Sequence, residues 1–534
     1  MPTSISRFAS RFLFKGVLAI LIAALGDWMF YQHELHGGHF GLFALALLAM
    51  LMAGRPAVWR DRRALTAIAA ALVFAFALIR DASLLAWWLF WTCAAMATLL
   101  PMTARFDDGW CWFQRLAWHS LTTPLAPLLD WSRMRKARRR RASGASVGSR
   151  LPHLVLPVIG SAVFLGLFVA ANPVLEQLLA SLSFPEPIFP DVVRAIYWVV
   201  LVPTAWTLLR PRLAKRPLPT FDGHSDLDLP GVSPTSITLS LIAFNLLFAV
   251  QNLLDALYLG GLAPMPEGVT LAGYAHRGAY PLIATALLAA LFVLVTLRPS
   301  SATAQVPLIR RLVAVWIVQN IVLVGSSIVR TLDYVQAYSL TPLRIAALAW
   351  MVLVGFGLAA ICWRLLRERS SAWLININVA AAALVLTVAS YVDLGAVSAR
   401  WNVRHARDVG GPAAHLDLCY LQSLGASALL SLIELEGRDD LDPALREQVQ
   451  AVREMNLRGL EEQQAHGGWS LVGQRRLEEA RIALTAQPLR QIRPGMRTCD
   501  GDLYTPEPSP TAPAAPPPSN RNIPPPPKAS KTLR

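Results

Sequence analysis

Eleven stretches of 17–23 mainly apolar residues dominate this sequence: 14–31, 38–54, 64–80, 82–100, 151–171, 192–209, 236–258, 280–297, 311–329, 343–363 and 373–394. About 20 such residues, rising about 1.5 Å each, cross the ~30 Å hydrocarbon layer of a bilayer as one helix. No water reaches the backbone there, so each run must satisfy its own N–H and C=O groups. The fold class that follows is all-α, a polytopic transmembrane bundle of about eleven helices. With 54% of its residues hydrophobic and only 16% charged, the chain falls well below the roughly 25% charged residues of a soluble domain.

Five regions follow from the composition: N-terminal helices in 1–100, a polar loop in 101–150, further helices in 151–394, a small extramembrane helical domain in 395–487 and a proline-rich, disordered tail in 488–534. The net charge of +15 divides into +14 before residue 395 and +1 after it. Such charge orients helices, which excludes nucleic acid as the expected partner. If alternate loops share one side, residues 1–15, 53–63, 101–150, 210–216, 298–311 and 364–369 carry 27 Lys and Arg. The opposite side up to 394 has 5: Arg80, Arg194, Arg277, Arg330 and Arg344. This asymmetry predicts a cytoplasmic N-terminus in the bacterial inner membrane, and eleven crossings predict a periplasmic C-terminal region. Arg7, Arg11 and Lys15 precede an apolar run that continues to Phe30 and meets the next at Phe40, so the first helix reads as an uncleaved anchor.

The loop 101–150 opens with Trp110, Trp112, Phe113 and Trp118, suited to a helix at headgroup level, and continues into a cationic cluster from Arg133 to Arg141. That cluster is expected to touch anionic lipid. Gly144-Ala-Ser146-Val-Gly148 has the Gly-x-Ser-x-Gly pattern but lacks the strand and helix a nucleophile elbow needs, and reads as linker. His33, Glu34, His36 and His39 lack the His-Glu-x-x-His spacing that puts two imidazoles on one helical face, and read as a polar loop. No phosphate-binding or dinucleotide fingerprint occurs. No catalytic residue, metal ligand or cofactor is therefore assigned.

Polar groups within apolar runs carry more information. An ionised Asp at a helix centre costs about 2.5–3.5 kcal/mol on insertion scales. Asn245, Asn252 and Asp255 share one face of the helix 236–258, with Gln251 beside them. Gln319 and Asn320 lie in mid-helix in 311–329. Helix-to-helix hydrogen bonding is the first reading of this set and a substrate or ion path the second. The following outer loop adds Glu267, Tyr274, His276 and Arg277 to the candidate polar or interaction site. Asp27 and Asp393 fall near outer helix ends, where water is expected to reach them.

The stretch from Phe244-Asn245 through Gln251-Asn252-Leu253-Leu254-Asp255 to Tyr274-Ala275-His276-Arg277-Gly278 resembles a bacterial family of multi-pass membrane proteins. This is domain-of-unknown-function family 4173, a relative of family 4153. Tyr334, Tyr338, Leu340-Thr341, Arg344, Ala399-Arg400-Trp401-Asn402-Val403, Leu416-Asp417 and Tyr420-Leu421 extend the resemblance over about 150–430. It implies an inner-membrane protein and brings no activity, substrate or catalytic residue with it.

Beyond 394 the apolar residues become periodic. Leu416, Cys419, Tyr420 and Leu424, then Leu429, Leu432 and Ile433, then Leu445, Val449 and Val452 recur at helical spacing. Asp442-Pro443 is a helix-start signal, and a further helix is expected over 471–485. Pro516–Pro518 and Pro524–Pro527 predict an extended tail. Outside the cytoplasm Cys419 and Cys499 are free to pair as a disulfide; inside it they stay reduced. Three functions remain open. The first is a non-enzymatic scaffold or envelope interaction protein whose partners meet the C-terminal helices and tail. The second is a secondary transporter or channel using the polar face of 236–258. The third is a membrane enzyme acting on lipid-linked substrates.

Overall fold

The computed structural model describes residues 3–104, 106–139, 188–214, 233–259, 306–485 and 497–501, with isolated positions 218, 262, 285, 288 and 292. Among them, seven helices are long and apolar enough to cross a membrane, and two shorter apolar helices, His39–Gly54 and Arg194–Leu209, accompany them. Of the eleven expected spans, 151–171 lies outside the described residues, and 280–297 is described only at helical positions 285, 288 and 292.

The first group of helices is α1 (Thr3–Gly26), α2 (His39–Gly54), α3 (Arg62–Arg80) and α4 (Leu84–Leu99). Next come α5 (Gly109–Thr122), α6 (Ala126–Arg139) and α7 (Ile188–Leu209). Short polar residues start several of them. Asp61 accepts from Arg63 N at 2.9 Å, Ser83 from Ala86 N at 3.1 Å and Asp108 from Cys111 N at 2.9 Å, each satisfying a backbone donor that the first helical turn leaves open. Phe43, Leu47, Leu51, Leu78, Phe90 and Leu208 form the interior of this group. On α5 the exposed side chains Trp110, Phe113, Trp118 and Leu121 fall on one face, while Trp112, Arg115 and His119 are buried, the pattern of a helix lying along a membrane surface.

The second group is α8 (Pro234–Leu259), α9 (Pro307–Tyr338), α10 (Pro342–Arg367) and α11 (Ser371–Ala389). Leu241, Val313, Trp316, Ile317 and Leu358 lie at its centre. Two bounds differ from the apolar runs. Helix α9 has 32 residues, because Arg330, Thr331 and Val335 are buried and carry the helix past the apolar run. The expected helix 373–394 ends at Ala389, and Asp393 instead caps the next helix, accepting from Ala396 N at 2.9 Å.

That next helix opens the C-terminal group: α12 (Leu394–His405), α13 (Leu418–Ser423), α14 (Leu429–Glu436), α15 (Pro443–Ala465) and α16 (Leu471–Thr485). Val403, Leu421, Leu432, Leu435, Val449 and Val452 form its core. Arg453, fully buried, is held by Glu436 at 3.0 Å and Glu454 at 2.9 Å. Cys419 and Cys499 are joined as a disulfide, with their Cα atoms 4.9 Å apart.

These helices rest on one end of the bundle. His36 N donates to Gly467 O at 2.7 Å and Gly38 N to Trp469 O at 2.5 Å. Gly37 between them has φ +61°, and a Cβ there would lie 2.8 Å from Gly468 O, so the contact requires glycine. Ala414 N donates to Gln336 O at 2.9 Å, Leu340 N to Asn402 Oδ1 at 2.7 Å, and Arg80 to Tyr391 O. The loop 33–38, the turn after α3 and the α9–α10 turn thus share one face. The other face gathers the α2 end and the α7 end beside α1, where Lys15 donates to Leu209 O at 2.9 Å.

Asp393 anchors the docked domain. It was expected at a wet helix end, yet it takes an ion pair from Arg476 and a 2.9 Å hydrogen bond from Ser427. Burial, the largest single influence, pushes its carboxyl up, but Arg476, Ala396 N–H and Ser427 together hold it below the usual aspartate range. A lowered carboxyl stabilises fully above its unfolded value and loses that contribution as the pH falls through its folded one. Arg476→Ala should therefore speed amide exchange in 471–485 at neutral pH. The wild type should show that loosening only in acid. Identical exchange at neutral pH in both proteins would remove Asp393 from the docking account.

Candidate functional site

The polar face of α8 meets α9 along a continuous seam. Asn245 Nδ2 donates to Leu312 O at 3.1 Å and to Leu241 O, one turn back on its own helix, at 2.7 Å. Gln319 Nε2 donates to Asn245 Oδ1 at 3.0 Å, and Asn252 Nδ2 to Gln319 O at 3.1 Å. One turn further on, Asp255 collects three donors: Gln251 Nε2 at 2.8 Å, Ser326 Oγ at 2.5 Å and the guanidinium of Arg330. Both ion-pair side chains are 3% exposed. A lone carboxylate or guanidinium at this depth would be expelled or neutralised, whereas together they cancel charge and share hydrogen bonds. Trp316 stacks on Phe244 at 5.2 Å and meets Phe248 edge-on at 5.7 Å, an apolar wall beside Asn245.

The structure brings Asn245, Asn252, Asp255 and Gln319 together. Asn320, next to Gln319 but about 100° around the helix, is fully buried and turns back to Trp316 O at 2.8 Å. Glu267, Tyr274, His276 and Arg277 lie outside the described residues, as does the Gly144–Gly148 segment. Arg330, counted from sequence among the outer-side charges, is the missed member. Its signal was there, because Ser326, Ser327 and Arg330 continue the helical period of α9 opposite the only acidic group of α8.

A second ion pair lies in the first group. Asp27 was expected within reach of water but is 2% exposed. The helix winds more loosely over Asp27–Gln32, and Arg194 of α7 grips the carboxylate with Nε at 3.0 Å and Nη2 at 2.8 Å. Gln32 Nε2 adds a third donor at 3.0 Å. Asp27 and Asp255 are thus each paired across helices by an arginine that the loop count sets among the opposite-side charges.

The His33–His39 loop serves the docking face. His33 Nδ1 lies 2.9 Å from Trp28 O and His39 Nδ1 2.8 Å from His36 O. Among the described residues no three His, Cys, Asp or Glu groups gather to hold a metal. Helix α6 carries the first part of the Arg133–Arg141 cluster.

The buried Asp–Arg pairs, the amide seam and the apolar spans define an α-helical multi-pass membrane protein. Residues 67–435 match domain-of-unknown-function family 4153, and the chain belongs to that family. This is the relative of family 4173 named above, and the match runs from α3 to α14. No curated protein and no solved structure matches the chain.

Asp255→Ala should cost about 3–5 kcal/mol of stability by leaving the Arg330 charge buried without its carboxylate, while a paired Asp255→Leu, Arg330→Met replacement should recover most of it. Unfolding in mixed micelles measures both. A paired loss equal to the sum of the separate Asp255→Leu and Arg330→Met losses would mean that the two groups are not energetically coupled.

Proposed function

We propose that this protein is a non-enzymatic scaffold of the bacterial inner membrane, presenting its docked C-terminal helices and proline-rich tail to a protein partner. The carrying observation is that the polar groups of α8 and α9 direct their hydrogen bonds to each other. Asp255 accepts from Gln251, Ser326 and Arg330, a coordination that suits fixed glue better than a carboxylate taking up and releasing a proton. The motif resemblance to family 4173 belongs to the same reading.

The orientation proposed is N-terminus cytoplasmic and C-terminal domain periplasmic. The excess of Lys and Arg on the N-terminal side supports it. So do the contacts of residues 467–469 with the loop 36–38, one crossing from the N-terminus. The Cys419–Cys499 bridge suits an oxidising compartment. The Arg133–Arg141 cluster is proposed to contact anionic lipid from the cytoplasmic side.

An alkaline phosphatase fusion after residue 440 should be active, and a cytoplasmic reporter there silent; the reverse would overturn the orientation. Removing 395–534 should abolish crosslinking of the protein to its partner in cells with insertion intact. Asp255→Asn tests the rival transport reading. A cation- or proton-coupled flux in proteoliposomes that this substitution abolishes, with the protein still folded, would replace the scaffold by a secondary transporter.

A further inference from the structure

On the face opposite the docked domain, a cleft of about 540 Å³ opens beside α1 and α6, among the ends of α2, α4 and α7. Lys15, Arg55, Arg210 and Arg212 line it with a single carboxylate, Asp130, and the ring of Phe12. Asp130 is already engaged: Arg210 Nε lies at 3.1 Å, Arg212 Nη2 at 2.8 Å and Trp206 Nε1 at 3.1 Å. Arg210 also stacks over Phe12 at 5.0 Å, which fixes its plane. The local balance is three positive charges in excess.

Arg55 differs from its neighbours. Its Nε is buried and meets no hydrogen-bond acceptor among the described residues. Burial draws its pKa down to about 10, so it stays charged at neutral pH, while the carboxylate of the cleft is taken by Arg210 and Arg212. His119, pushed down to about 4 by burial and then by the Arg55 charge, stays neutral and supplies none. A half-buried guanidinium with a buried N–H left open is costly, and an arriving oxyanion would relieve it.

We propose that this cleft binds a phosphate oxyanion, supplied by the headgroup of an anionic phospholipid in the adjoining leaflet. Arg55 is the central donor, and Lys15 adds its charge. The location favours a lipid. Lys15 follows the start of the span at Phe12, Arg55 follows the last residue of α2, and Arg210 follows the last residue of α7, so the cations stand where helices leave the hydrocarbon. Leu13, Phe14 and Val17, beside Phe12 and Lys15 on α1, expose half or more of their surface and offer acyl chains an apolar track. The site is separate from the Arg133–Arg141 cluster and does not depend on the scaffold reading.

The test uses the full chain in neutral detergent, with thermal unfolding followed during titration of short-chain phosphatidylglycerol, phosphatidylcholine or inorganic phosphate. Phosphatidylglycerol should raise the midpoint and phosphatidylcholine should not. Arg55→Gln should weaken the apparent affinity for phosphatidylglycerol about tenfold, the loss of one charge-assisted contact, and Arg55→Lys should restore most of it. Replacing Arg138–Arg141 by Gln should leave the response in place. An Arg55-dependent response to inorganic phosphate alone would keep the oxyanion site and overturn its lipid source. Equal phosphatidylglycerol responses in wild type and Arg55→Gln, or a response lost only in the Arg138–Arg141 variant, would overturn the site. If Arg55→Gln lowers the ligand-free midpoint, native mass spectrometry of co-purified lipid decides: retention equal to wild type rejects the proposal, and selective loss of anionic lipid upholds it.

Discussion

A charged group in hydrocarbon needs its partner close at hand, and the packing of this protein turns on that requirement. Helices already in a bilayer gain little from apolar contact alone, because lipid tails are as apolar as leucine. Asp255 and Arg330 supply what apolar contact does not, a specific direction and register for α8 against α9. The amides extend the same register: once Asp255 meets Arg330, Asn252 falls opposite Gln319 and Asn245 two turns up falls opposite Leu312. Slippage by one residue would break every one of these contacts together. In the first group of helices Asp27 and Arg194 impose the same constraint on α1 and α7.

This changes how the arginines read. The four described ones on the sparse side serve the structure from within: Arg194 and Arg330 pair with buried aspartates, Arg80 holds Tyr391 O, and Arg344 stacks over Tyr334 at 4.4 Å while donating to Tyr338 O. Such residues are poor reporters of sidedness, since a buried partner fixes them. Removing them from the count would sharpen the asymmetry between the two faces, which is why alternation of loops was informative even with these residues misread.

Hydropathy made the spans legible because it sums many residues and needs no knowledge of partners. The face shared by Asn245, Asn252 and Asp255 was legible for a related reason, since helical spacing alone puts them together. What failed was pairing. Arg330 lies beyond an apolar run, and one-dimensional hydropathy cannot tell a helix that ends at Val329 from one that continues because Arg330 has a carboxylate waiting on α8. The same gap hid the burial of Asp27, whose arginine lies 167 positions away. At Asp393 the error was local: its carboxylate caps Ala396 N, which ends one helix and begins another inside a run that hydropathy reads as continuous.

The two polar regions of the molecule also differ in a way that separates architecture from recognition. Along the α8–α9 seam the carboxylate, the guanidinium and the amide donors answer one another across a narrow contact between helices. At the opposite rim, four cations line one cleft with a single carboxylate, which Arg210 and Arg212 occupy. Seam donors that already reach the facing helix would lose those hydrogen bonds to admit a ligand. Cations that cannot satisfy each other repel, and only their attachment to separate helix ends keeps them in place. An unbalanced cluster held at headgroup depth is where a membrane protein of this shape has most to gain from an anion.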